Sequence, residues 1–372
     1  MEELRNTLAL IAIKGVGSTI ARHLIDAFGS AEEVFEADNG TLMSIPRIGQ
    51  VLIEAKQRKQ QLLDNAEKEI RFVEEHHINA LCLGHPDYPQ RLKECPDAPV
   101  VLIELGKHVT ESKHVLSIVG TRLCTQYGRD MTRQLVQEMK DLVPDLVVVS
   151  GLALGIDISA HRAALEFGFP TIAVVAHGLD RIYPYQHRDD ARKIIAEGGA
   201  IMTEYFSGVG PDRPHFLARN RIVAGLADAV LVSESKDRGG SLVTASIALD
   251  YNRDVFAFPG RTHDDRSMGC NRLIRLNRAG LVTSARDLAE AMGWINASST
   301  HAIQQTLNFG EDGVSDIGHR LLDALRDRGD LRLSQLCDLL PMIDRYEINE
   351  ALLDLEMDGK IRNTPGGLYQ LR

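Results

Sequence analysis

LVVVSGLALGIDISAHRAAL, residues 146–165, runs from continuous β-branched residues through two glycines into a helical pattern. Val147, Val148 and Val149 lack the alternation of a half-exposed strand, which predicts a parallel strand buried on both faces. Gly151 and Gly155 remove the Cβ atoms that would keep another backbone away, and Asp157 stands where it can cap the following helix. A strand, a glycine turn and a helix N-terminus present N–H groups and the positive end of a dipole, a setting suited to phosphate. The spacing is G-x-x-x-G, unlike the G-x-G-x-x-G of dinucleotide sites, and the G-K-S/T of a P-loop is absent. The turn therefore reads in two ways, as a tight turn of an α/β sheet or as a phosphate site.

Five further apolar runs surround it, at 115–119, 171–175, 200–203, 229–233 and 254–258, separated by amphipathic stretches of helical length. This alternation predicts an α/β domain over 113–294, with a Rossmann-like, mostly parallel sheet covered on both faces. Residues 1–75 contain two related phrases, IAIKGVGSTIARHLIDAFGS and LMSIPRIGQVLIEAKQ. Each joins a short glycine turn to a helix, a helix-hairpin-helix pattern of the SAM-like kind. Such turns (Gly15 and Gly17; Ile48 and Gly49) offer N–H groups to a DNA phosphate, and they equally suit a helical bundle that simply needs glycine. Residues 76–112 read as a connector packed on the next domain, and the polar, aperiodic 295–315 as a linker. Residues 316–372 show three amphipathic segments followed by a glycine-turn ribbon, which predicts a winged helix.

The 372 residues, 44% of them hydrophobic, suffice for several cores. Cys82, Cys95, Cys124, Cys270 and Cys337 are scattered, with no C-x-x-C pair or zinc spacing, so free thiols and no structural metal are expected. The acidic start lacks a signal-peptide pattern and no run approaches a membrane span, so a soluble, cytoplasmic protein is expected. Net charge is −10, yet residues 205–280 hold 11 Lys/Arg against 8 Asp/Glu. A polyanion would bind the middle of the chain.

In an open parallel sheet, ligands bind beyond the carboxyl ends of the strands. The segments expected there are Gly120-Thr121-Arg122, then Ser150 to Gly155, then Ala176 to Asp180, then the loop GVGPDRPHFLARNR (208–221) and finally ESKDRGGSLVTA (234–245). They gather Arg122, Arg219, Arg221 and Lys236 with the hydroxyls of Thr121, Ser241 and Thr244. Phe216 and His215 lie within the basic loop, and a ring beside arginines suits a single strand, offering a face to a base and charge to the backbone. Each residue also has a structural reading: Phe216 as core, and Arg219 or Arg221 paired with Asp228 or Glu234.

An enzymatic alternative comes from DRGGSLVTAS (237–246), which resembles the P-G-G-x-G-T-x-x-E loop of lonely-guy-type nucleoside-monophosphate phosphoribohydrolases. Here Ala245, Ser246 and Ile247 stand around the place of the catalytic glutamate. Ser150, Asp157 and His161 lack a G-x-S-x-G elbow, and Asp157 and His161, one helical turn apart, are expected to pair with each other. No catalytic centre and no cofactor are expected.

SIVGTRLCTQYG (117–128), VVSGLALGIDISAHRAAL (148–165), TIAVVAHGLDRIYP (171–184), HFLARNRIVAGLADAVLVSES (215–235) and GGSLVTASIALDYNRDVFAFPG (239–260) resemble, in order and spacing, the motifs of the DNA-processing protein A (DprA/Smf) family. The resemblance implies a dimeric protein without catalytic turnover. It would shield single-stranded DNA and help load the RecA recombinase onto it during natural transformation or recombination. Carried over by motif, the DNA site falls on Gly120, Thr121, Arg122, Ser150, Gly151, Gly155, Phe216, Arg219, Asn220, Arg221, Lys236, Gly240 and Ser241. The chain departs from the family pattern at Thr121, where serine is usual, at His177, where a small residue is usual, and at Leu217, where proline is usual. The resemblance also places the dimer and RecA surfaces on GCNRLIRLNRAGLV (269–282). Leu273, Ile274 and Leu276 diverge around a helix there, leaving some apolar surface for a partner. The segment DRYEINEALLDLEMDG (344–359) carries six carboxylates against Arg345. That charge opposes DNA binding and suits a protein partner for the C-terminal module.

Overall fold

The computed structural model describes residues 2–295, 314–364 and 368–371. Its main sheet comprises β1 (Asn79–Cys82), β2 (Val101–Gly106), β3 (His114–Val119), β4 (Leu146–Ser150), β5 (Thr171–Val174), β6 (Ala200–Thr203), β7 (Ala229–Val232), β8 (Asp254–Ala257) and β9 (Gly280–Leu281). Their spatial order is β1-β2-β6-β5-β4-β3-β7-β8-β9. From β6 to β9 every pairing is parallel, while β1–β2 and β2–β6 are antiparallel.

Period-two alternation in the central strands fills two cores at once. Val115, Val119, Val147, Val149, Ile172, Val230 and Val232 face one side. Leu116, Ile118, Leu146, Val148 and Leu231 face the other. Val147, Val148 and Val149 are all fully buried, each contributing roughly 1.5–3 kcal/mol of hydrophobic stabilisation. The chain winds outward from β3 to β6, then returns to lay β7 on the opposite flank of β3. The carboxyl ends of β3 and β7 therefore form the crevice where strand order reverses, which is where such sheets bind ligands.

The irregular stretch 76–112 is more ordered than a connector, because β1 and β2 extend the sheet. Its proline-broken phrases hid two short strands that carry no alternation of their own. Helices Glu2–Ile11, Ser18–Phe28, Ala31–Glu36, Asn39–Met43, Gly49–Gln57 and Lys59–Glu75 precede them. These helices share a core with Val101 and Ile103 of β2, so the helical region and the sheet form one unit. The chain divides into two units near residue 296. The expected linker lies largely outside the described residues. Among the described residues, no helix is long and apolar enough to cross a membrane.

The second unit contains helices Asp316–Arg328, Leu333–Leu339 and Arg345–Met357 with β10 (Leu331–Arg332), β11 (Ile361–Thr364) and β12 (Leu368–Leu371). Its antiparallel sheet runs β10-β12-β11. Leu321, Leu336, Ile348, Leu352 and Leu355 form its own core.

Candidate nucleic-acid interface

An open groove of about 810 Å³ lies over the β3–β7 crevice. Its wall is the helix Arg213–Gly225, which Asp212 caps and Pro214 helps start. Positions 213, 216, 217 and 220 share a helical face, and it brings Arg213, Phe216, Leu217 and Asn220 to the groove.

One loop supplies the other side. Thr121 donates its N–H to the Glu234 carbonyl at 2.7 Å. The buried Glu234 carboxylate accepts from both the N–H and the hydroxyl of Thr125, each at 2.7 Å. The loop is thus fastened at both ends to one residue across the crevice. Between those ends the exposed Arg122 projects, its guanidinium 4.9 Å from the centroid of Phe216. Tyr183 flanks the same ring at 5.8 Å.

Gly155, at φ +82°, admits the Thr121 carbonyl, which would stand 2.2 Å from any Cβ there, and Ile156 donates its N–H to that carbonyl at 3.2 Å. The turn's own anion is internal. Asp157 is buried, and hydrogen bonds from the Ala153 and Gly151 backbone reach its carboxylate. Its counter-ion is Arg219, Nη1 to Oδ2 3.8 Å, whose guanidinium occupies the space a Gly151 Cβ would take, 1.3 Å from Nη1. Burial pushes the Asp157 carboxyl above its ordinary range, and the Arg219 charge opposes that rise. The Nε of Arg219 is buried without a hydrogen-bond partner among the described residues.

The loop after β7 adds exposed Lys236 and Arg238, then Gly240, whose Cα faces open space, and buried Ser241, whose hydroxyl donates to that of Ser235 at 2.9 Å. Arg122, Arg213, Lys236 and Arg238 have no carboxylate partner among the described residues. Four cations without a salt-bridge partner line the groove that holds the Phe216 ring, against the carboxylates of Asp157 and Asp212, and make an anion-attracting edge.

Nine of the expected site residues line this groove: Gly120, Thr121, Arg122, Phe216, Arg219, Asn220, Lys236, Gly240 and Ser241. Four lie elsewhere. Ser150 is fully buried and donates to the Ile118 carbonyl at 2.6 Å. Gly151 and Gly155 act underneath, making room for Arg219 and the Thr121 turn. Arg221, two residues from Arg219, points to the other flank, where it binds Glu204 at 2.5 Å and Ser18 at 3.3 Å. Asp228 pairs with Arg91 instead. The expected Asp157–His161 pair does not form. The His161 Nε2 accepts from the Leu152 N–H and its Nδ1 bonds the Thr171 hydroxyl.

Arg213, Arg238 and Tyr183 join the groove without having been singled out in the sequence. Arg213 stands one turn before Phe216, a spacing that could have marked it. On the expected partner surface, Leu273 is core, Ile274 is half-buried and Leu276 is 53% exposed.

Residues 79–293 match the DNA recombination-mediator protein A family. This chain is a member of that family. Residues 7–55 match the SAM-like helix-hairpin-helix tandem. A Smf protein of Synechocystis is 38% identical over 295 residues, 77% of this chain and 72% of the relative. The DNA processing protein DprA of Streptococcus pneumoniae is 42% identical over 201 residues, 54% of this chain and 70% of the relative. A solved structure of DprA from that species covers 77% of this chain and 97% of its own at 33% identity, with a TM-score of 0.67. A second, from Helicobacter pylori and described for its single-stranded DNA binding mode, covers 58% of this chain and 96% of its own at 29% identity, with a TM-score of 0.52.

Proposed function

We propose that the groove binds single-stranded DNA, in a DNA-processing role during transformation or recombination. The observation that carries this reading is Phe216, an aromatic face framed by Arg122 and Tyr183 in a groove also lined by Arg213, Lys236 and Arg238. Unstacked bases meet the ring and phosphates meet the cations, and neither demands a particular sequence. The Helicobacter pylori relative, described for the same ligand, supports the reading.

Two further roles belong to the proposal through the family resemblance. One is loading of RecA onto the bound strand, and the other is homodimerisation, with the exposed Leu276 and half-buried Ile274 as the available apolar surface. The second unit, in the order helix, strand, helix, helix, strand, strand, fits a winged helix.

The test compares a labelled oligothymidine with a blunt duplex of equal length, by anisotropy at two salt concentrations. The single strand is expected to bind more tightly, with affinity falling as salt rises. Equal affinity for both, or release of free base from a nucleoside monophosphate, overturns the reading.

A further inference from the structure

The helix Arg345–Met357 buries Ile348, Ala351, Leu352 and Leu355 in the core of the second unit. At 3.6 residues per turn, Tyr346, Glu350, Leu353 and Met357 fall within about 60° of one another on the opposite side. That side faces solvent, yet Tyr346, Leu353 and Met357 are 74%, 58% and 78% exposed, and Met342 just ahead of the helix is 96% exposed. A solvent face ordinarily carries polar side chains. Here a second apolar ridge runs about 16 Å along the helix, diametrically opposite the one that packs.

Charge decides what fits it. Glu350 lies within the ridge and Asp354 beside it, neither carboxylate holding an ion-pair partner among the described residues. Asp344 caps the helix start and Glu356 accepts from the Asn363 N–H, so they add negative potential without leaving the surface. Nucleic acid would be repelled along this whole side. A second copy seated on the same ridge would bring Glu350 and Asp354 against like charges, which argues against self-association. Its i, i+4, i+7, i+11 spacing matches the grooves between side chains of another helix.

We propose that this ridge is a docking site for a basic amphipathic helix of a partner protein. The partner's apolar stripe covers Tyr346, Leu353 and Met357, and its flanking lysines or arginines meet Glu350 and Asp354. Binding is reversible and salt-sensitive, and it is independent of the groove on the first unit.

The probe is a fluorescein-labelled helical peptide with leucines along one stripe and lysines flanking it, titrated with the full chain. A twin peptide carries glutamates in place of the lysines. The lysine peptide is expected to bind and its twin to fail. The pair Leu353→Ser and Met357→Ser, both on the exposed side, should weaken binding about tenfold or more. The pair Glu350→Gln and Asp354→Asn should weaken it several-fold and flatten its salt dependence, with single-strand affinity unchanged in every variant. Four results overturn the proposal: no binding of the lysine peptide, equal binding of both peptides, insensitivity to both variant pairs, or duplex binding or self-association that Leu353→Ser and Met357→Ser abolish.

Discussion

Arg219→Met removes the charge of Arg219 while keeping much of its length, and so isolates what the guanidinium does for Asp157. The two groups stand 3.8 Å apart with side chains 5% and 10% exposed, where an effective dielectric of about 20 gives roughly 4 kcal/mol of attraction. Relief of the guanidinium's own burial, its Nε unpartnered, offsets part of this, leaving an expected destabilisation of about 2 kcal/mol near neutral pH. Asp157→Asn alone should cost a similar amount, by stranding Arg219. The double variant should return to within about 1 kcal/mol of the parent, since neither charge is then left alone. Urea unfolding followed through Trp294, the single tryptophan, measures all four corners of the cycle. The sign of the pH dependence gives a second check. Without Arg219 the folded Asp157 carboxyl rises further above its unfolded value, so the added stability is present at low pH and is lost as pH rises through the folded value. Arg219→Met should therefore lose ground to the parent as pH rises above the ordinary carboxylate range, and the double variant should not. A coupling energy below about 0.5 kcal/mol refutes the reasoning, and Arg219 then owes its position to packing alone.

Phe216→Ala should weaken single-strand binding by about 1–3 kcal/mol per stacked base without changing the salt slope, and an unchanged affinity would remove the ring from the site. Replacing Arg213, Lys236 or Arg238 with glutamine should lower the slope of log affinity against log salt by about 0.7 for each lost phosphate contact, as read from titrations at several salt concentrations. Arg221→Gln should leave that slope alone and lower the melting temperature, because its charge is engaged with Glu204. Burial pushes His161 down to about 3, so the folded state keeps it neutral while the unfolded state protonates near pH 6.5. Stability should be full above that value and fall by up to about 1.4 kcal/mol per unit as pH drops toward 3. In urea titrations at pH 7.5 and 5, His161→Gln should show a shallower decline; an equal decline contradicts the burial argument.

The sheet was legible because its six central strands are continuous apolar runs, and the runs expected at 146–149, 200–203 and 229–233 match β4, β6 and β7 to within a residue. β1 and β2 were not, since their order comes from antiparallel pairing, β1 with β2 and β2 with the distant β6, rather than from a local pattern. At the site, strand-end logic collected most of the groove, because loops that follow parallel strands must share one edge. It could not say which arginine faces in. Arg219 and Arg221 differ by two positions on one helix, and their assignment depends on Asp157 and Glu204, which lie 62 and 17 residues away in sequence. The glycine turn read either as a tight turn of the sheet or as a phosphate site, and the carboxylate its backbone meets, Asp157, comes from the turn's own helix. Charge pattern alone marked the last helix as unsuited to DNA, but it did not expose the ridge of Tyr346, Leu353 and Met357. Alternating apolar positions on both sides of a helix blur its period.

The Glu234 clamp bears on how quickly, and at what thermal cost, a strand is captured. A loop that had to order itself around its ligand would slow association and add a large negative heat-capacity change and an entropy penalty. With Thr121 and Thr125 already tied to Glu234, little is left to freeze except the Arg122 side chain, which a base stacking on Phe216 would displace. For the single strand proposed above, capture would then be limited by encounter, with stacking and ion release dominating its calorimetric signature. Strands of any sequence should arrive at nearly the same rate and differ only in how long they stay.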